Sequence, residues 1–256
     1  MTSNILIVGA TRGLGASLRT LYASKPSTHV FATTRSEKEP DSSQSNTTWI
    51  PNIDLTNPNV GTNLTSQLPS STKLSSLIIT AGFFGLESFD DPSWNKQVQM
   101  YTTSAIAPVF VVQTLVKSGF LEKGSKVILV SSESGSITLR HESEGGGNYG
   151  HHASKTALNM VGKLLSLDVK EKGIAVGLVH PGFMRTEMTK GVGFDKFWDD
   201  GGAVTPDEAA KSLAAFVEDF DISKTGEYWA PRGPGDIGTA EPVLGKNLPT
   251  PLQLPW

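Results

Sequence analysis

Hydrophobic residues along this chain come in short runs rich in β-branched side chains, separated by longer stretches in which apolar positions recur every three or four residues. Runs such as "NILIV", "KVILVS" and "IAVGLVH" show no polar alternation, so the strands they predict are covered on both faces. Strands are predicted at 4–8, 29–33, 48–53, 77–80, 126–131, 174–180 and 227–230. Helical periodicity predicts helices at 14–24, 94–117, 150–172 and 206–220, with a shorter one at 58–68. Alternation of strand and helix implies a single α/β domain of the doubly wound, Rossmann type, with about seven parallel strands and helices on both faces. The Ser/Thr-rich stretches at 33–48 and 66–76 read as connectors, and the Pro-rich tail from Pro231 reads as irregular. None marks a domain boundary, so residues 1–256 are expected to form one domain.

Composition narrows the function classes. A chain of 256 residues with 38% hydrophobic content can bury a large core. The net charge is −3 and no Lys/Arg run stands out, which argues against a nucleic-acid partner. The absence of cysteine excludes disulfides, thiol chemistry and Cys-based zinc sites, and no metal site is expected. "NILIVGA" is short, lacks a basic flank and runs into a glycine turn, so it reads as a strand and not a leader. The longest apolar stretch, "AIAPVFVVQTLV", is too short and too polar to span a bilayer. The expectation is a soluble, cytoplasmic protein.

Chemistry enters with "ILIVGATRGLG". Gly9, Gly13 and Gly15, with Thr11 and Leu14 between them, form a turn whose amides can approach a pyrophosphate at the N-terminus of the next helix. Arg35 ends the second strand, where the adenosine ribose of a dinucleotide lies, and Arg12 offers a second cation from the turn. Cations there accommodate a 2′-phosphate, where an acid would accept the hydroxyl of NAD, so the expected cofactor is NADP(H).

With these features the chain resembles the short-chain dehydrogenase/reductase family over nearly its whole length, and its tail "TPDEAAKSLAAFVED" is similar to that of the small C-factor/sniffer carbonyl reductases. The resemblance implies that Asp54 and Leu55 contact the adenine and that Ala81 and Gly82 belong to the cofactor wall. It implies further that Pro181 and Gly182 form the nicotinamide loop and that Thr186 contacts the carboxamide. "LVSSESGS" matches the strand end with the catalytic serine, here Ser132, and "HHASKTALN" matches the Tyr-x-x-x-Lys helix, with Lys155 retained for cofactor and catalysis. Two positions depart from the pattern. Ser104 stands where the family has an asparagine that holds a relay water, and His151 stands where it has the tyrosine that gives up a proton.

Lys155 follows His151 by one helical turn, so the two share a face. A histidine donates strongly only when charged, and burial together with Lys155 lowers its affinity for a proton from a reference pKa of about 6.5. The expectation is therefore a slow or acid-favoured reductase, with His152 pointing elsewhere on the helix. Tyr149 is the alternative acid, or else a loop aromatic over the substrate. Phe83, Phe84, Phe183, Met184, Phe194, Phe197 and Trp198 suit a bulky, largely apolar small-molecule substrate. The segment 183–204, with Gly191, Gly193, Gly201 and Gly202 as hinges, is expected to form a lid. The leading reading is NADPH-dependent reduction of a carbonyl or conjugated C=C/C=N compound by Ser132, His151 and Lys155. The alternatives are a non-redox isomerisation, dehydration or cyclisation in the same pocket, and a non-catalytic NADP(H)-binding protein. The helix at 150–172 resembles the family's dimerisation element, so a homodimer or homotetramer is expected.

Overall fold

The computed structural model describes residues 3–38 and 45–256; part of the connector expected at 33–48 lies outside them. Eight strands form one sheet in the order β3-β2-β1-β4-β5-β6-β7-β8. These are β1 (Ser3–Val8), β2 (Thr28–Thr33), β3 (Thr47–Ile50), β4 (Ser76–Ile79), β5 (Lys126–Val130), β6 (Ala175–Val179), β7 (Tyr228–Ala230) and β8 (Leu252–Gln253). The first seven run parallel, and β8 adds antiparallel to β7, so the tail read as irregular carries the edge strand and a short helix.

Side chains alternate across the sheet because the strand period is two. Leu6 and Val8 join one core layer with α2 (Val60–Thr65), α4 (Ala107–Lys117) and α5 (Tyr149–Val169). Ile5 and Ile7 join the other, against α1 (Gly13–Ala23) and α7 (Pro206–Asp219), through Leu14, Leu18, Leu213 and Phe216. The sheet order reverses between β1 and β4, which opens a crevice at their carboxyl ends.

The helix expected at 94–117 is interrupted. It begins as α3 (Trp94–Tyr101), widens into a π-turn over Thr102–Ile106, and resumes as α4. Pro108 supplies the reason: it has no amide to give the Ser104 carbonyl. Within the widened turn, the amide of Ala107 bonds Thr102, five residues back. Strand β3 stops at Ile50, three residues short of the expectation, because Pro51 follows and Asn52 turns back with φ 58°.

Between β6 and α7 lie α6 (Glu187–Gly191) and a 3-10 turn at Phe194–Phe197, closed by a bridge between Met184 and Val204. The last helix is α8 (Ala240–Leu244).

Candidate active site

A cleft of about 1280 Å³ runs along the carboxyl ends of the strands. The glycine turn lines its floor. Gly9 has φ +95°, and a Cβ there would sit 2.7 Å from the Ala81 amide nitrogen, so the β1 end and the β4 end meet only because the side chain is absent. Helix α1 opens with Arg12 at its N-cap in extended conformation, and no side chain caps it. Its first amides are thus left for a ligand, and the dipole favours an anion there.

Arg12, Arg35 and Lys38 are exposed on the cleft wall, together with Ser36. Asp54 bonds the Thr56 amide and hydroxyl at 2.8 Å each through Oδ1, which orients its carboxylate beside Leu55 on the same wall. The residues fit a dinucleotide: an uncapped helix N-terminus for the pyrophosphate and three cations where the adenosine end would lie. Thr11, Gly13, Leu14, Gly15, Ala81, Gly82, Pro181, Gly182 and Thr186 also line the cleft. The Thr186 hydroxyl caps α6 by accepting from the Thr189 amide at 3.2 Å.

Ser132, His151 and Lys155 all line the cleft. Ser132 ends β5, and its backbone is held on two sides. Buried Tyr228 donates its hydroxyl to the Ser132 carbonyl, and the next amide, Glu133, donates to Nδ1 of His180 at 3.0 Å. His180 Nδ1 is therefore the acceptor and Nε2 carries the proton, facing Asp236 Oδ2 at 3.5 Å. Asp236 in turn accepts from the Phe183 amide. One chain of contacts thus joins the serine strand end, the Pro181-Gly182 loop and the tail.

Lys155 is buried and donates to the Val130 carbonyl at 2.8 Å. Desolvation pulls its pKa down to about 8. His151 lies against Phe84, with ring centroids 4.2 Å apart, and edge-on to His152 at 5.4 Å. Its Nδ1 is buried without a hydrogen-bond partner. Burial first, and then the positive charges of Lys155, His152 and Arg140, push its pKa down to about 3. His151 is a neutral imidazole at any ordinary pH.

Helix α5 begins at Tyr149 for a reason that the local sequence hides. Glu87, only 7% exposed, accepts from the Gly150 amide at 2.8 Å through Oε2 and from the Ser93 amide at 2.8 Å through Oε1. It therefore satisfies the first turns of α5 and α3 together. Its own backbone pairs with Asn148, which sits left-handed at φ +47°. A Cβ at Gly150 would lie 2.3 Å from the Met100 methyl and 2.8 Å from the Glu87 carboxylate, so a larger residue would push both side-chain ends aside.

Two of the expected catalytic positions are not on the cleft wall. Tyr149 is 40% exposed on the outer side of the first turn of α5. Ser104 is buried in the π-turn with its hydroxyl unpartnered, and its neighbour Thr103 reaches the cleft instead. His152, expected to point away, lines the cleft, held by Nδ1 at 3.0 Å from the Asn148 carbonyl. Trp198 is not on the wall; its indole bonds Thr189 at 3.2 Å under the Arg185 guanidinium. Phe83, Phe84, Phe183, Met184, Phe194 and Phe197 do line it. Sequence reasoning missed Lys38, Arg140, Asn148 and Met188 on the wall, and Glu87 behind it. No group of three or more metal-ligating side chains occurs among the described residues.

The family profile described as short chain dehydrogenase matches residues 3–196. The chain belongs to that family and is an enzyme of its oxidoreductase class. It is 26% identical over 230 residues, 88% of this chain and 95% of the relative, to 1-hydroxy-2-glutathionyl-2-methyl-3-butene dehydrogenase of Rhodococcus sp.. Among solved structures it is similar to the NADPH bound carbonyl reductase from chicken fatty liver. That likeness has a TM-score of 0.74 at 22% identity and covers 90% of this chain and 92% of that one. It is also similar to the carbonyl reductase Sniffer of D. melanogaster, with a TM-score of 0.74 at 20% identity and all of both chains covered.

Proposed function

We propose that the protein is an NADPH-dependent reductase of a carbonyl or conjugated C=C/C=N substrate, with Ser132, His151 and Lys155 as its catalytic residues. The observation that carries this reading is one continuous cleft in which an uncapped helix N-terminus and three cations lead into the Ser132, His151 and Lys155 cluster. Arg12, Arg35 and Lys38 would hold the 2′-phosphate, and Lys155 would lie at the nicotinamide end. A bound NADPH supplies the hydride.

The protein's own residues then manage the oxygen of the substrate. The Ser132 hydroxyl donates to it, fixed by the Tyr228 and His180 contacts on its backbone. His151 donates a second hydrogen bond as a neutral imidazole, an electrophile of the kind triosephosphate isomerase uses, and not as an imidazolium acid. Lys155, with its pKa near 8, still carries its proton at neutral pH and is the reservoir from which the alkoxide is neutralised. This revises the acid-favoured profile expected from the sequence. Activity should hold through neutrality and fall above about pH 8 as Lys155 loses its proton. A non-redox route that used His151 as its general base would find a weak one, since burial and Lys155 hold its pKa down to about 3. Turnover of NADPH against a panel of aromatic ketones tests the reading.

The segment 183–204 would act as the lid over the substrate. Ile106, Phe110, Met160, Leu164 and Leu167 are 46–61% exposed on α5 and on the π-turn and α4 beside it, an apolar face that supports a homodimer or homotetramer. No helix among the described residues is long and apolar enough to cross a membrane, in keeping with a cytoplasmic enzyme.

A further inference from the structure

Beyond Ser132 the cleft has two unlike walls. One is apolar, built from Phe84, Phe183, Met184 and Phe194. The other, from the loop between β5 and α5, carries Ser134, Arg140 and Asn148. An entirely apolar substrate would satisfy the first wall and strip water from the second without replacing its hydrogen bonds.

Arg140 is only half used by the protein. One guanidinium nitrogen, Nη2, lies 3.3 Å from Glu144 and Nη1 has no partner among the described residues, while Nε is buried away from solvent. Glu144 is exposed at the rim and its carboxylate is shared with the His141 amide at 3.4 Å, so the pair is the weak, solvated kind. Asn148 accepts the Glu87 amide through Oδ1 at 3.3 Å, which leaves its Nδ2 as a second donor. Glu133 and Glu144 also line this wall, while Lys155 and Arg140 act on His151 as positive charges. At His152 the influence of Arg140 exceeds those of Glu133 and Glu144.

We propose that Arg140 is a specificity residue that binds a carboxylate on the substrate through its terminal guanidinium nitrogens, with Asn148 as the second donor. Guanidinium and carboxylate match as a two-bond fork, and no other cation lines this part of the cleft among the described residues except catalytic Lys155. The substrate class is then a keto acid with an aromatic or ring body: the ring packs on Phe84 and Phe194, the ketone meets Ser132 and His151, and the carboxylate meets Arg140. The proposal rests on the reductase reading and names its substrate class.

The test uses the protein loaded with NADP⁺, which has no hydride to give, and two probes that set a carboxylate against a neutral ester, para-acetylbenzoate and its methyl ester, with binding followed by calorimetry. The carboxylate should bind at least about tenfold more tightly than the ester, the scale of a charge-assisted fork. Arg140→Leu and Arg140→Gln should each erase that gap, and Arg140→Lys should keep part of it. Equal binding of the two probes, binding of neither, or a gap that survives in Arg140→Leu would overturn the assignment. NADPH fluorescence is titrated first on every variant. Failure of the unmodified protein to bind NADPH removes the reductase reading itself, whereas NADPH binding without a carboxylate preference removes only the role of Arg140.

Discussion

Phe84 covers one face of the His151 imidazole, ring centroids 4.2 Å apart with 32° between the planes. The stack shields the ring from water while Lys155 sits one turn along the same helix, and both effects disfavour a proton on His151. The folded pKa of about 3 lies below the reference value of about 6.5. Between these values the unfolded chain binds more protons than the folded one, so stability falls as pH drops through that window. Thermal unfolding should show Tm declining from pH 7 to pH 4, and His151→Gln should decline less. His152 is shifted the same way, so a smaller slope remains in the variant. Identical slopes would mean that His151 is hydrated and chargeable.

Glu87 ties the start of α5 to the start of α3. Glu87→Ala leaves two helix-terminal amides without their acceptor and should cost on the order of 2–4 kcal/mol in denaturant unfolding. Glu87→Gln keeps a carbonyl acceptor and should cost less. If Glu87 also positions His151, the alanine variant loses kcat more than it raises KM. A stability loss with unchanged kcat would confine it to a structural role.

The contrast between Glu87 and Lys155 explains what the sequence could and could not announce. Lys155 sits in a periodic helix after a recognisable loop, so its face and neighbours follow from spacing. Glu87 acts across 63 residues on Gly150, and nothing in "FGLESF" distinguishes it from a solvated acid. Continuous apolar runs placed the seven parallel strands closely, because burial on both faces leaves no other pattern. Strand β8 is two residues long and flanked by Pro251 and Pro255, so it carries no periodic signal. The π-turn at Thr102–Ile106 keeps helical periodicity, and only Pro108 hints at it. Arg140 gave no signal in the sequence, because its place on the wall depends on how the loop 133–148 folds back on α5.

The cations at the adenosine end should select the phosphorylated cofactor. NADPH is expected to bind well over tenfold more tightly than NADH, given about 1.5–3 kcal/mol for each hydrogen bond to a charged group. Arg35→Asp should reverse the preference in a fluorescence titration. Equal affinities in the unmodified protein would contradict the placement of the 2′-phosphate.

Self-association through α4 and α5 should be sensitive to one charge. Leu164 is 53% exposed in the middle of the α5 face, and Leu164→Glu should shift the mass seen by light scattering from dimer or tetramer to monomer. A monomeric unmodified protein would remove this interface.

Hydride transfer is proposed at a site where histidine stands in place of the expected tyrosine. The direct measurement uses NADPH deuterated at the transferring nicotinamide carbon and an aromatic keto acid, with mass spectrometry of the product. The unmodified enzyme should place deuterium on the new carbinol carbon, with one NADPH consumed per product. His151→Ala should do so roughly 10²–10³ times more slowly, the range for losing one hydrogen-bond donor to a developing oxyanion. Product that forms without deuterium and without NADPH consumption would contradict the account and leave proton shuttling as the chemistry of this cleft.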